Sequence, residues 1–137
     1  MKLVLYSNVI VAAFATQGIC HSLLEYCLYN HTIFFSEALI DEISIKLKTR
    51  IEIPKQLAKE IISFLKSFAR IVSPQPLGQG FCRNLNVDNV ISLAMTVKSD
   101  YIISVESDLF TLKQYKPIPV LSPRDFWNIL QKKGKKG

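Results

Sequence analysis

The sequence predicts an α/β fold in which a parallel central sheet is flanked by helices. Short apolar runs alternate with amphipathic segments of helical periodicity along the whole chain, as is typical of strands joined by covering helices. The apolar runs are continuous rather than alternating, which indicates strands that are buried on both faces. Hydrophobic residues make up 49% and charged residues 20% of the 137 residues, a balance typical of a folded domain.

Five segments have the composition of buried strands. They are short and rich in apolar, β-branched or aromatic residues, and polar or turn-forming residues follow them. The run at residues 101–105 is the clearest, because it is apolar at four of its five positions. We predict strands at residues 3–6, 32–35, 71–72, 101–105 and 118–121.

The predicted helices have apolar residues three or four positions apart and recognisable starts. Ser36 and Ser122 are good N-caps, while Pro54 and Pro123 fit the beginning of a helix, where proline costs no hydrogen bond. We predict helices at residues 8–15, 19–29, 37–48, 55–69, 86–98 and 125–131.

The charge and the length indicate one domain at residues 1–131, followed by a basic, disordered tail at residues 132–137. Four of the 17 basic residues lie in that tail, which leaves 13 basic against 11 acidic residues in the domain. The net charge of +6 is therefore weak evidence for nucleic-acid binding. No apolar run approaches the ~20 residues that span a bilayer, and we expect no membrane association.

The three cysteines predict a cytoplasmic protein. Cys20, Cys27 and Cys82 are odd in number and lack a C-x-x-C spacing. We interpret them as free thiols in a reducing compartment; a metal or redox site is the alternative.

Four carboxylates fall where an open α/β sheet places its sites. Glu106 and Asp108 follow the strand at 101–105, Asp88 lies in the first turn of the helix before it, and Glu42 lies on the helix after the second strand. Such positions can converge on one crevice at the carboxyl edge of the sheet, where Mg²⁺ or Mn²⁺ would relieve their repulsion. Taken singly, each acid also has a structural explanation in a helix start, a solvated helix face or a turn.

Five segments in order resemble the PIN-domain family of metal-dependent ribonucleases, over roughly residues 2–130. The chain opens with an apolar strand and then Tyr6-Ser7-Asn8, where the family has Asp, Thr or Ser, and Asn. The other matching segments are residues 36–43, 82–94, 101–109 and 119–126. Many similar chains are VapC toxins of toxin–antitoxin pairs.

The resemblance implies a catalytic site that binds Mg²⁺ or Mn²⁺. It assigns Asp88 as the main metal ligand, with Glu42, Glu106 and Asp108 completing the set. Tyr6, Ser7, Asn8 and Ser104 would position these groups or the substrate. The resemblance also implies RNA as the substrate, an antitoxin protein bound near the acidic crevice, and a homodimer.

Several residues depart from the family pattern and weaken the predicted site. Tyr6 stands where the family has its first metal-binding Asp, and a neutral phenol is a poor ligand for a hard cation. Glu106 is one methylene longer than the family's Asp, and Asn84 and Asn86 occupy positions that are often acidic.

These departures leave three hypotheses about function. The first is an endoribonuclease with impaired catalysis, and the second is a non-catalytic module that binds RNA or a protein partner. In the second, the Tyr6 ring either stacks on a base or packs in the core. The third is an active toxin inactivated by the substitution at position 6. We expect Tyr6→Asp to restore metal affinity.

Overall fold

A parallel sheet of five strands forms the centre of the structure. The computed structural model describes residues 1–75, 85–105 and 118–135. The strands are β1 (Lys2–Leu5), β2 (Thr32–Phe35), β3 (Arg70–Ile71), β4 (Tyr101–Ile103) and β5 (Val120–Leu121). Their order across the sheet is β3-β2-β1-β4-β5, and all four pairings are parallel. The predicted α/β fold is confirmed.

Helices connect and cover the strands. In the described part of the chain they are α1 (Ser7–Ala15), α2 (Ile19–Asn30), α3 (Glu37–Arg50), α4 (Lys55–Phe68), α5 (Leu85–Val97) and α6 (Pro123–Lys135). Ser36 caps α3 as predicted, because its hydroxyl oxygen accepts the Leu39 N–H at 3.1 Å. Ser122 caps α6 in the same way, accepting the Asp125 N–H at 3.1 Å.

The hydrophobic core lies on both faces of the central strand. Leu3, Val4 and Leu5 are all fully buried. Because successive residues of a strand point to opposite faces of the sheet, their burial requires helices on both sides. The register aligns Leu3 with Tyr101 and Leu5 with Ile103, so β1 and β4 end together. This common end is the carboxyl edge at which the predicted site residues were placed.

The ends of several elements differ from the predicted ones. The strand predicted at 71–72 lies at Arg70–Ile71, and that predicted at 101–105 ends at Ile103. Beyond Ile103, the Ser104 N–H still bonds the Leu121 carbonyl at 3.0 Å, whereas the Val105 side chain is exposed. The apolar run is therefore longer than the strand, because an apolar residue does not have to be hydrogen-bonded to a neighbouring strand.

The last helix is longer than predicted. It reaches Lys135 rather than residue 131, so residues 132–135 of the predicted disordered tail are helical. The division into a domain and a tail otherwise stays a prediction. No single helix among the described residues has both the length and the apolar character to span a bilayer. The consecutive α1 and α2 would meet those criteria only as a pair, and the chain bends by 112° between them.

The two cysteines in the described ranges are free thiols on α2, as expected. Cys27 is fully buried, and this burial raises the pKa of its thiol to about 12. Cys20 is half-buried, and burial also raises its thiol pKa. A thiol whose pKa is raised stays protonated and unreactive near neutral pH, which favours the structural interpretation over a redox site. Cys82 lies outside the described residues.

Candidate functional site

Tyr6 forms the junction between β1 and α1. Its backbone N–H donates to the Ile103 carbonyl at 2.9 Å, which ties the end of β1 to the end of β4. Its side chain is only 1% exposed, among the largest fully buried groups of the core. A ring so buried offers no face to an incoming base, so its burial favours the packing hypothesis over base stacking.

A closed hydrogen-bonded cluster of Ser7, Glu42 and Lys46 lies beside the Tyr6 ring. We call these three residues, together with Tyr6, the polar cluster. The Ser7 hydroxyl donates to Glu42 Oε2. The Lys46 ammonium donates to Ser7 Oγ at 2.8 Å and to Glu42 Oε2 at 2.7 Å. The same ammonium lies 5.1 Å from the centre of the Tyr6 ring, within cation–π range.

The helical geometry of α3 accounts for the ion pair in this cluster. Glu42 and Lys46 are four residues apart, so they lie on the same face of the helix, with the acid on the N-terminal side as the favourable order requires. Unlike most such pairs, this one is largely buried, with Glu42 9% and Lys46 15% exposed. Charge-assisted bonds away from water are stronger than those at the surface.

Sequence reasoning missed Lys46. The one signal available was its i, i+4 spacing from Glu42, which is also the commonest arrangement of solvated helical ion pairs. Its significance depends on α1 bringing Ser7 and Tyr6 against α3, a contact between distant parts of the chain. No local pattern in the sequence indicates that contact.

Asn8 and Asp88 each keep a buried side-chain oxygen without a partner among the described residues. The atoms are Asn8 Oδ1 and Asp88 Oδ1. Burying a polar atom without a hydrogen bond is costly, so such atoms call for an explanation. Asp88 lies in the first turn of α5, where the helix dipole favours a negative charge.

Three predicted site residues remain, and the structure describes one of them. Ser104 is fully buried directly after β4, at the carboxyl edge of the sheet. Glu106 and Asp108 lie outside the described residues, and so does Asn84. Their roles stay predictions.

The described residues do not fit a divalent cation at Glu42. Within them, no group of three or more His, Cys, Asp or Glu side chains is arranged to hold a metal ion. The Glu42 Oε2 atom already accepts two hydrogen bonds, one of them from a cation. Two unit charges 4 Å apart near a protein surface interact with an energy of about 4 kcal/mol. A divalent ion at that distance from the Lys46 ammonium would therefore be repelled by about twice that energy. At Asp88, by contrast, a carboxylate oxygen is still available.

A separate feature consists of aromatic side chains that are exposed on α2 and α4. The exposed rings of Tyr29, Phe64 and Phe68 pack together, with centroids 5.3 Å apart for Tyr29–Phe68 and 5.0 Å for Phe64–Phe68. We call these three residues the aromatic surface. Tyr29 and Phe64 also line a cavity of about 210 Å³ between α1, α2 and α4. Exposed aromatic side chains in contact with one another often mark an interaction surface.

Comparisons with known proteins support the fold. No protein-family model matches the sequence, and no curated protein matches it at a significant level. The structure is similar to a chain in the crystal structure of VapBC2 from Rickettsia felis bound to a DNA fragment from their promoter, with a TM-score of 0.64. The match covers 89% of this chain and 98% of that chain at 14% sequence identity. This likeness is one of fold, and it supports the VapC-like PIN fold that the resemblance predicts.

Breaking the Glu42–Lys46 pair should destabilise the protein. Lys46→Met leaves a largely buried carboxylate without its counter-charge, and we expect a loss of about 3 kcal/mol in the free energy of unfolding. In a double-mutant cycle with Glu42→Gln, the coupling energy should be about 1–3 kcal/mol. Urea unfolding of the four proteins measures it.

The exposed pair between Glu37 and Lys66 provides the matched control for this cycle. Its atoms are 3.7 Å apart, and its side chains are 67% and 42% exposed. The corresponding variants, Glu37→Gln and Lys66→Met, should couple by less than about 0.5 kcal/mol. Equal coupling energies in the two cycles would contradict the special strength assigned to the buried pair.

Proposed function

We propose that this chain is a VapC-like protein whose nuclease site is impaired and whose main activity is to bind a protein partner of the antitoxin type. The observation that carries the proposal is the Lys46 ammonium, which is bonded to Glu42 over the buried Tyr6 ring. A carboxylate whose Oε2 already binds an ammonium of its own chain is a weaker ligand for a catalytic cation. The fold of the VapBC2 chain supports the toxin–antitoxin context.

The loss of catalysis follows from two residues together. Tyr6 brings no carboxylate to the carboxyl edge of the sheet, and Lys46 neutralises the one that Glu42 brings. Hydrolysis of a phosphodiester in such a site needs a metal ion to generate hydroxide and to stabilise the developing charge. With the ligand set reduced, the attacking water would lose its position, and small displacements are enough to lower rates about 100-fold.

Asp88 favours a second candidate function, a weak endoribonuclease dependent on Mg²⁺ or Mn²⁺. Its buried Oδ1 has no hydrogen-bond partner within the described ranges. A carboxylate oxygen that binds a metal ion would be left without a partner in the same way when the ion is absent. Asp88 would then act with the predicted ligands Glu106 and Asp108, and Ser104 would orient them. In this alternative RNA is the substrate. Glu42 does not bind the metal ion and stays bonded within the polar cluster.

We further propose that the partner docks on the aromatic surface; the homodimer that the resemblance implies stays a prediction. Tyr29, Phe64 and Phe68 expose apolar rings that a partner can bury, and aromatic side chains carry much of the energy at protein interfaces. The acidic crevice, where the resemblance places the antitoxin, is instead reduced in charge by Lys46.

An RNA-cleavage assay separates the two candidate functions. In excess Mn²⁺ the protein should cleave a structured RNA no faster than it does in EDTA, because Glu42 is bonded to Lys46 and Tyr6 provides no carboxylate. The control for RNA quality is a metal-dependent ribonuclease assayed on the same substrate. Cleavage that is robust with Mn²⁺ and abolished by EDTA or by Asp88→Asn would favour the endoribonuclease and overturn the proposal.

Binding to the product of an adjacent short reading frame tests the partner proposal. We expect a stable complex when the two chains are co-expressed, and the double variant Tyr29→Ser/Phe68→Ser should weaken it at least ~10-fold in a titration of purified components. Ile45→Ser removes an exposed apolar side chain from α3 and serves as the control, with an affinity close to that of the wild type. Equal effects of the two changes would count against the aromatic surface.

A further inference from the structure

We propose that Lys46 is the resident cation of the polar cluster, supplying within the chain the positive charge that a divalent metal ion would bring to Glu42. The inference deepens the proposed function, because it names the group that makes this part of the site independent of metal. It concerns the metal affinity of the protein, which can be measured without RNA and without a partner.

Glu42 Oε2 accepts two hydrogen bonds within the polar cluster, one from Lys46 and one from Ser7. Ser7 Oγ itself accepts a hydrogen bond from the ammonium. Each of the three side chains thus contacts the other two. A metal ion that took Oε2 would have to displace the ammonium and break the hydrogen bonds of Ser7 as well.

The charges of the cluster balance without a metal. Glu42 contributes one negative charge and Lys46 one positive charge, and Tyr6 contributes none. A carboxylate at position 6 would bring a second negative charge to the same place, which the single positive charge of Lys46 would balance only in part. Tyr6 and Lys46 are therefore complementary: the tyrosine removes a charge that the lysine could not balance alone.

Tyr6 also shapes the site of the ammonium. Its ring is fully buried, and the ammonium lies 5.1 Å from the ring centre. A ring in this position attracts a monovalent cation through its π-face, and its neutral phenol is a poor ligand for a hard divalent cation. The same side chain thus favours an ammonium and disfavours Mg²⁺ or Mn²⁺.

This arrangement revises the expected effect of Tyr6→Asp. An aspartate at position 6 would find the Lys46 ammonium close by and pair with it. The single substitution should then give little metal affinity, contrary to the expectation from the sequence. Metal binding at Glu42 should require Tyr6→Asp and the loss of the Lys46 charge together.

Calorimetric titration with Mn²⁺ tests this inference on the full chain and its variants Tyr6→Asp, Lys46→Met and Tyr6→Asp/Lys46→Met. The double variant should bind Mn²⁺ at least ~10-fold more tightly than either single variant. The variant Tyr6→Asp/Lys46→Arg keeps the positive charge and is the matched control, with an affinity close to that of Tyr6→Asp alone. An arginine variant that binds as tightly as the methionine variant would overturn the inference.

A measurement on the wild-type protein keeps the inference testable if the methionine variants fail to fold. Diamagnetic Mg²⁺ shifts mainly the NMR signals of amides next to the groups that it binds, so the amides of Ser7, Glu42 and Lys46 should keep their chemical shifts during a titration. Saturable shifts that are largest at these three amides would overturn the inference. If the metal-bound protein still failed to cleave RNA, the proposed loss of cleavage would stand although the inference about Lys46 had failed. The two proposals can therefore be tested independently.

Discussion

The bond between the Lys46 ammonium and the Glu42 carboxylate is the interaction on which the proposed function depends. The two side chains are 2.7 Å apart and largely withdrawn from water, and Ser7 closes the cluster from the start of α1. Buried charges are retained only when they are paired and hydrogen-bonded, so each member constrains the others. Through Ser7, the pair joins α3 to the junction of β1 and α1, next to the carboxyl edge of the sheet.

The architecture and the chemistry of this edge have separate requirements. The parallel sheet needs Leu3, Val4 and Leu5 buried and β1 aligned with β4, and neither condition depends on a metal ligand. Tyr6 satisfies the same architecture by placing its ring in the core and its N–H on the Ile103 carbonyl. The fold therefore does not need a carboxylate at position 6, where the PIN-domain pattern has its first metal-binding Asp. Retention of the fold at 14% identity to the VapBC2 chain is consistent with this separation.

The fold was largely predictable from the sequence, and the polar cluster was not. Strand β2 and the capped start of α3 follow from local patterns, a run of β-branched and aromatic residues and the Ser36 cap. The ends of β4 and α6 were misjudged, because pairing decides where a strand stops and a basic segment can continue a helix. The role of Lys46 depends on a contact between α1 and α3, and nothing near Lys46 in the sequence indicates it. Asp88 and Ser104 lie on α5 and after β4 as predicted, but their roles stay predictions.

The most direct test of this account is a crystal structure of the wild-type protein soaked in Mn²⁺, with anomalous scattering used to locate the ion. The account predicts that the Lys46 ammonium stays within hydrogen-bond distance of Glu42 Oε2, with no manganese peak at coordinating distance from that carboxylate. A manganese ion bound to Glu42, with the Lys46 side chain turned away, would contradict it.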